Sequence, residues 1–368
     1  MFPKNFRISS SQFRKMLVLD IVSISIMVIP QISSLGAGKD GIFAIIFGAF
    51  LALIYSLLMW YLTKRANGNY ITYSKETVGS FITFIFGILY IVKFFILCIF
   101  VFNLFTNIIN GTLLPNTNHK IVLLFLILVT LYLASKEVEV RARLTEFLYL
   151  IILVPVVLLL LFGIPKLYIP NLLPVLTSDL TSIAKTGFSV FLTYSAAEFI
   201  LFELALVNRE DKNNKKDIVH AIVVSTIINL IFFIMVVGLL GIYSTNQTTW
   251  STIVVMQLLE VPGGFIQRLD AVILAFWMLS IFFISSSLLY HMSNIAQHIT
   301  NSKKRTYYLI AFAILIFLAC MKPVKLEIIL TYLNKYLIYI GVPQSLLMPL
   351  IVFGVDKLRS RKGMNHEA

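Results

Sequence analysis

The residues of this chain that could do chemistry are charged side chains inside apolar segments. Glu198 lies in GFSVFLTYSAAEFILFE, an apolar run of membrane length from Gly187 to Glu203. A carboxylate at bilayer depth costs at least ~2.5–3.5 kcal/mol unless it is protonated, paired or facing a wet cavity. Small residues stand directly before it, and they would let the helix open and leave backbone groups free for a ligand. The plainer alternative is a continuous helix in which a neighbouring helix satisfies Glu198.

The residues before Glu198 extend this candidate site. Tyr194 lies one turn earlier on the same helix face, so its ring and the carboxylate are predicted to line one cavity. Ser195, Ala196 and Ala197 form the small-residue stretch between them. The pattern predicts a broken helix with an exposed backbone near the middle of the membrane.

Lys93 is a basic residue deep in another apolar segment, ILYIVKFFILCIF. An isolated ammonium at that depth needs a partner, which Glu198 or Asp20 could supply. Such a pair could serve a proton relay, replace a coupling cation or lock helices together, and the sequence does not separate the three. Asp20 itself lies one to two turns from Arg14 and Lys15, which favours an interfacial role.

Other polar residues in the apolar segments are interpreted as structural. Glu203, close to a basic segment, is predicted to be a snorkelling or ion-paired end residue. The serines at 285–287 could contribute hydroxyls to a cation site with the first span. Three asparagines are predicted to join helices by hydrogen bonds: Asn103, Asn107 and Asn229.

Composition sets the class of protein. The chain has 368 residues, of which 59% are hydrophobic and 13% charged, and a mean hydropathy of +0.91. These values predict a polytopic membrane protein, so the net charge of +13 indicates orientation in a bilayer rather than a nucleic-acid partner. Cys98 and Cys320 lie in apolar runs and the histidines are scattered, so no disulfide, metal site or cofactor is expected. No catalytic motif is visible, and we do not expect an enzyme.

The apolar runs predict about ten transmembrane helices, at a length of about 20 residues each. They lie near 15–34, 41–63, 81–109, 120–135, 144–163, 186–206, 218–241, 267–291, 306–321 and 336–355. Most of the 30 Lys and Arg residues fall in the termini and in alternate connections. By the positive-inside rule both termini, including the tail 356–368, are predicted to be cytoplasmic.

Ten spans divide as five plus five in one transmembrane domain. An odd number in each half makes the second half enter from the opposite side, so the halves, about 1–165 and 166–355, are predicted to form an inverted repeat with a site between them. Span one would then pair with span six. It carries Ser23-Ile24-Ser25 near its centre and Pro30 further on, which predicts that helices 1 and 6 are both discontinuous.

Two external connections are long enough to matter. The segment 164–185 carries three prolines and is predicted to pack as a structured cap. The segment 242–266 is predicted to form a short amphipathic helix, in STIVVMQLLE, followed by a turn at VPGG. Both could be lids over an outward opening, or loops that only join spans.

Several segments resemble one family. They are ISSSQ (8–12), VIPQISSLGAGKDG (28–41), EVEVRARLTEFL (137–148), NLLPVL (171–176) and FIQRLDAVILAFW (265–277). In order and spacing they resemble the B subunits of Ger-type spore germinant receptors, the spore germination permease family of the amino acid–polyamine–organocation superfamily. The resemblance implies an all-α, LeuT-like fold of ten spans with broken spans one and six.

The resemblance also implies a function. Such subunits are thought to bind a small nutrient, commonly an amino acid, in a transporter-like pocket, acting with A and C subunits in the spore inner membrane. Carried over by position, the pocket would use Ser23, Ile24 and Ser25, and the stretch from Tyr194 to Glu198. Family members usually have glycine where Ser23 and Ser25 stand, which would narrow the pocket here. A secondary amino acid permease coupled to protons or sodium is the alternative.

Overall fold

Helices form nearly all of the regular structure. The computed structural model describes residues 7–64, 69–207, 214–248, 250–259, 269–302, 304–324 and 326–364. Within these ranges the one β-type pairing is an isolated parallel bridge between Ile8 and Val207. Helices suit these apolar segments because, in lipid, each backbone N–H and C=O must be satisfied within its own segment.

The first half contains six helices, α1 to α6, of which α3 was not predicted from the apolar runs. They are α1 (Ser10–Ala37), α2 (Gly41–Thr63), α3 (Tyr70–Val78), α4 (Ser80–Thr112), α5 (His119–Ser135) and α6 (Val138–Gly163). The short helix α3 is too polar and too short to stand out as an apolar run. It begins where the Asn69 side chain accepts a hydrogen bond from the Ile71 N–H at 2.9 Å, a typical N-cap.

The second half contains α7 to α14 and two helical interruptions. The helices are α7 (Leu180–Thr193), α8 (Ile200–Glu203), α9 (Asn214–Gln247), α10 (Ser251–Leu258), α11 (Leu269–Thr300), α12 (Arg305–Cys320), α13 (Leu326–Tyr336) and α14 (Val342–Met364). A 3₁₀ segment, Ser195–Phe199, separates α7 from α8, and a π-helical turn, Leu337–Gly341, joins α13 to α14. Helix α9 is itself kinked at Gly241, whose φ of 75° is readily available to glycine.

Each of the ten predicted segments overlaps one or more of these helices, and residues 267 and 268 of the eighth lie outside the described part of the chain. Among the described residues, six helical stretches are long and apolar enough to cross a membrane, or seven if the bent pair α7–α8 is one span. The first of the six, Ser10–Thr63, contains both α1 and α2, while α5 and α12 are shorter apolar helices. The chain is therefore an all-helical protein of membrane-spanning type, and the count of ten stays a prediction.

Span six is broken as predicted, whereas span one is not. The two parts of span six meet at an angle of 47° between Leu180–Thr193 and Ser195–Leu206. Helix α1 runs without a break from Ser10 to Ala37 and includes Pro30. The predicted discontinuity of helix 1 is therefore wrong for this structure. The serine hydroxyls form hydrogen bonds rather than opening the helix: Ser23 Oγ lies 2.5 Å from the Leu19 carbonyl oxygen, one turn earlier.

Helix α1 lies at the centre of the bundle. It packs against α9, α7, α6 and α11, and its residues from Met16 to Val22 are fully or almost fully buried. Its first turn lies beside the C-terminal end of span six, near Leu206, and beside the start of α9, where Arg14 pairs with Asp217 at 3.3 Å. We call this end of the bundle, which also holds α3 and the α11–α12 connection, the terminal face, and the opposite end the distal face.

The distal face carries a structured cap, as predicted for the proline-rich segment. Asp40, between α1 and α2, accepts backbone hydrogen bonds from Thr177 and Ser178, both at 2.7 Å, and from Leu176. Burial raises the pKa of Asp40, but these hydrogen bonds lower it more, so its pKa falls below the ordinary value. The predicted short helix is α10, and the predicted VPGG turn lies outside the described residues.

Candidate ligand site and the buried charges of span six

The break in span six borders a small cavity, of about 30 Å³, between α1, α4, α7 and α13. Ser195 and Thr193 line it from the break, and Ile24 lines it from α1. Helix α7 ends here: the Val190 carbonyl accepts a hydrogen bond from the Thr193 hydroxyl, and the Phe191 carbonyl accepts one from the Tyr194 N–H. The structure thus brings together Ser195 and Ile24 of the predicted site.

The two serines of span one turn away from this cavity. Ser25 Oγ donates a hydrogen bond to Asn229 Oδ1 on α9 at 2.8 Å, and Asn229 Nδ2 donates to the Tyr194 hydroxyl at 3.2 Å. Ser23 Oγ also lies 2.8 Å from the Ser280 carbonyl oxygen on α11. Both serines therefore anchor α1 to its neighbours. Asn229 joins helices as predicted.

Tyr194 lines a second small cavity, of about 20 Å³, together with Lys93 and Ser195. Glu198 does not line it. In this cavity, therefore, Tyr194 is joined by the cation that pairs with Glu198 and not by the Glu198 carboxylate. Ala196 and Ala197 are both buried, in a segment that packs against α1 and α2.

Glu198 is paired with Lys93. Lys93 Nζ lies 2.5 Å from Glu198 Oε2, with side-chain exposures of 3% and 0%. Lys93 also donates a hydrogen bond to Ser345 Oγ on α14. The pair therefore joins α4, span six and α14. Of the two partners predicted for Lys93, the structure shows Glu198.

Asp20 belongs to a second polar cluster, closer to the terminal face. It is 1% exposed and accepts a hydrogen bond from Ser287 Oγ on α11 at 2.8 Å. Arg141 Nη2 on α6 donates to the same hydroxyl at 2.5 Å. The predicted interfacial role of Asp20 is wrong, because ten residues of α1 carry it about 15 Å into the bundle. Among the three serines, Ser287 is the one that reaches α1.

Glu203 is the second acidic residue of span six, and it does not snorkel. It is fully buried, and its Oε1 lies 3.0 Å from His291 Nε2 on α11. Of the two alternatives predicted for Glu203, snorkelling is wrong and the paired residue agrees with the structure, where the partner is a buried histidine. Sequence reasoning missed His291 and Arg141, whose partners lie far away along the chain.

A third cavity reaches this cluster from the terminal face. Its volume is about 360 Å³, and it lies between α3, the end of span six and α11. His291 and Tyr290 line its inner part, while His298, which is exposed, lines its mouth. Among the described residues, no three His, Cys, Asp or Glu side chains are placed to hold a metal ion.

Similar solved structures are transporters of the LeuT fold. One is a Na⁺-coupled sialic acid symporter in a substrate-bound outward-open state, with a TM-score of 0.63 and 13% identity over 91% of this chain and 77% of that chain. Another is MhsT in complex with L-phenylalanine, with a TM-score of 0.62 and 14% identity over 86% of this chain and 80% of that chain. At these identities the similarity shows the fold alone.

Sequence comparison identifies the family. Two similar proteins of Bacillus subtilis (strain 168) are spore germination protein KB, 25% identical over 98% of both chains, and spore germination protein YndE, 23% identical over 77% of this chain and 78% of the other. The family model described as "Spore germination protein" matches residues 7–326. The resemblance carried by the five segments is thereby confirmed: the chain belongs to the spore germination permease family.

Proposed function

We propose that this chain is the nutrient-sensing membrane subunit of a spore germinant receptor. It binds a small nutrient, an amino acid, in the cavities beside the break in span six and passes the signal to A and C subunits. It lies in the spore inner membrane with both termini on the cytoplasmic side. The observation that carries the proposal is the break itself, which places Ser195 opposite Ile24 across a cavity in a chain of this family.

The chemistry around the break suits an amino acid. The carbonyl groups at the C-terminal end of α7 carry partial negative charge and can accept the ligand ammonium. Lys93 lines the neighbouring cavity, and its ammonium can attract the ligand carboxylate. In this arrangement Glu198 holds Lys93 in place rather than contacting the ligand. Ser23 and Ser25 act through α1, which they fix to α11 and α9.

The proposal is tested by measuring binding and uptake together. The purified protein in proteoliposomes is offered a panel of labelled amino acids and sugars. We expect saturable binding of one nutrient without accumulation. Ile24→Phe fills the cavity and should weaken that binding at least tenfold, whereas Leu128→Phe on an exposed part of α5 should not change it. Unchanged binding in Ile24→Phe would place the nutrient elsewhere.

A secondary permease is the second candidate function. It is favoured by the fold, because the similar structures include a Na⁺-coupled symporter. A permease works alone, so the same proteoliposomes would concentrate the nutrient when a proton or sodium gradient is applied. Concentrative uptake would make transport the primary activity. Binding without uptake would support a receptor that needs its partner subunits.

A further inference from the structure

The buried charged residues of the bundle are unequal in number. Two buried carboxylates lie at helix ends and have their own partners: Asp40 in the distal cap and Asp217, which pairs with Arg14. The other buried charged side chains of the described residues are three carboxylates and two cations: Asp20, Glu198, Glu203, Lys93 and Arg141. Three negative and two positive charges leave one negative charge when all five are ionised. Burying an uncompensated charge is costly. The interior therefore needs one more positive charge than these side chains supply.

The deficit lies in the cluster near the terminal face. Lys93 and Glu198 neutralise each other at 2.5 Å. Asp20 and Glu203 remain, with Arg141 near enough to act electrostatically on Asp20 and on His291. One oxygen of each carboxylate, Asp20 Oδ2 and Glu203 Oε2, is buried without a hydrogen-bond partner, and so are Arg141 Nε and Nη1. The cluster thus has spare acceptors and spare donors, and two carboxylates face one permanent cation.

We propose that Glu203 and His291 together form a proton-binding site that supplies this charge. Relative to an ionised Glu203 and a neutral His291, the pair carries one additional proton. That proton comes from solution and binds to the imidazole or to a Glu203 oxygen, and no other reactant is involved. The two side chains are already in contact, with His291 Nε2 3.0 Å from Glu203 Oε1.

The cavity at the terminal face gives solution protons access to the pair. His291 lies on its inner wall and the exposed His298 at its mouth. Four aromatic rings lie against His291, those of Phe94, Phe199, Phe202 and Tyr290, with Phe199 closest at 4.5 Å between ring centroids. Titratable and charged groups near the pair include Asp20, Tyr70, Tyr90, Arg141, Tyr290 and Arg305, besides His298 at the cavity mouth.

A proton fits this site better than a metal or alkali cation. Hard cations take several oxygen ligands, whereas the contact here joins one imidazole nitrogen to one carboxylate oxygen. Arg141, stacked 4.4 Å from the Tyr290 ring, already places a fixed positive charge next to the cluster. A proton needs only one lone pair and the existing hydrogen bond.

The proton would control how the lower part of span six is held. Glu203 ends α8, directly after the break, and His291 belongs to α11. With the proton bound, the pair attaches α8 to α11. Without it, Asp20 and Glu203 repel each other, and Arg141 alone opposes them. This inference does not depend on the proposed nutrient site.

The test uses the full-length protein labelled with [¹⁵N]histidine in nanodiscs. The ring-nitrogen spectrum reports whether His291 is imidazolium, and the His291→Gln variant assigns its signal. Infrared spectra of the same samples report a protonated carboxylic acid. Glu203→Gln removes the carboxylate, and His298→Gln is the matched control at the cavity mouth.

At pH 7 we expect either an imidazolium signal from His291 or a protonated-acid band, lost in Glu203→Gln and kept in His298→Gln. In Glu203→Gln the His291 ring should be neutral at pH 7. A neutral His291 without a protonated-acid band in the wild type would overturn the proposal. So would sodium-dependent stabilisation that Glu203→Gln abolishes, because the missing charge would then be a sodium ion.

Discussion

The two carboxylates of span six lie five residues apart and are satisfied in opposite ways. Glu198 has a permanent cation, Lys93, which also binds Ser345 on α14. Glu203 has a histidine, whose charge depends on a proton. The first pair joins α4, span six and α14, whereas the second lies beside a cavity that reaches the terminal face. Span six is thus held at the break by a permanent ion pair and, five residues later, by a contact whose charge depends on a proton. We call Lys93–Glu198 the fixed pair and Glu203–His291 the adjustable pair.

The largest effect is expected from removing the cation of the fixed pair. Lys93→Met leaves Glu198 buried without a positive partner, which should lower the free energy of unfolding by about 3–5 kcal/mol. Adding Glu198→Gln removes the unpaired charge and should recover most of that loss. Thermal unfolding in detergent measures both variants. If the double variant were no more stable than Lys93→Met, the ion pair would not explain the stability.

A smaller effect is expected at the adjustable pair. Glu203→Gln keeps a hydrogen-bond acceptor for His291 and leaves no permanent cation unpaired, so it should cost only about 1–3 kcal/mol. Glu198→Gln strands Lys93 and should cost more under the same conditions. The two single variants are compared by unfolding at one pH. Equal losses would remove the distinction between the pairs.

A third carboxylate, Asp40 of the distal cap, accepts hydrogen bonds mainly from backbone N–H groups, and its pKa is lowered by folding. A carboxyl with a lowered pKa stabilises the folded state above its ordinary value of 3.8, and that contribution is lost as the pH falls below it. Asp40→Asn should lower the free energy of unfolding by about 1–2 kcal/mol at neutral pH. On acidification the variant should lose less stability than the wild type. Unfolding midpoints from neutral pH to pH 3 check this, and parallel curves for both proteins would contradict it.

The smallest effect concerns the serines that fix α1. Ser25→Ala removes the hydrogen bond to Asn229 and should cost about 1 kcal/mol. Ser285→Ala is the matched control, because Ser285 bonds only to the Ile281 carbonyl of its own helix. Unfolding of both variants shows whether the link between helices stabilises the bundle. A larger loss in Ser285→Ala would mean that α1 does not depend on this contact.

The sequence predicted the parts of this structure that depend on local pattern. Apolar runs located all ten segments, and the small residues before Glu198 located the break, because both are properties of neighbouring residues. The prediction that span one is broken was wrong because the Ser23 and Ser25 hydroxyls form hydrogen bonds with α11 and α9. Nothing within span one indicates those partners.

The buried charges show the same limit more clearly. Arg141 stands between Lys136 and Arg143, as a residue of a basic connection would, yet it is completely buried. His291 lies 88 residues from Glu203 along the chain. The sequence correctly predicts that each buried charge needs a partner, but the packing of the helices determines which partner it contacts.

The first described residues have a mechanical consequence. Ile8 N–H donates to the Leu206 carbonyl at 2.9 Å, and the Ser9 side chain caps α1 with Gln12 in a reciprocal pair. The start of the chain is therefore tied to the far end of span six. A probe attached just before Ile8 would move together with the Leu206 end of span six. It would report movement of the broken span without any label inside the membrane.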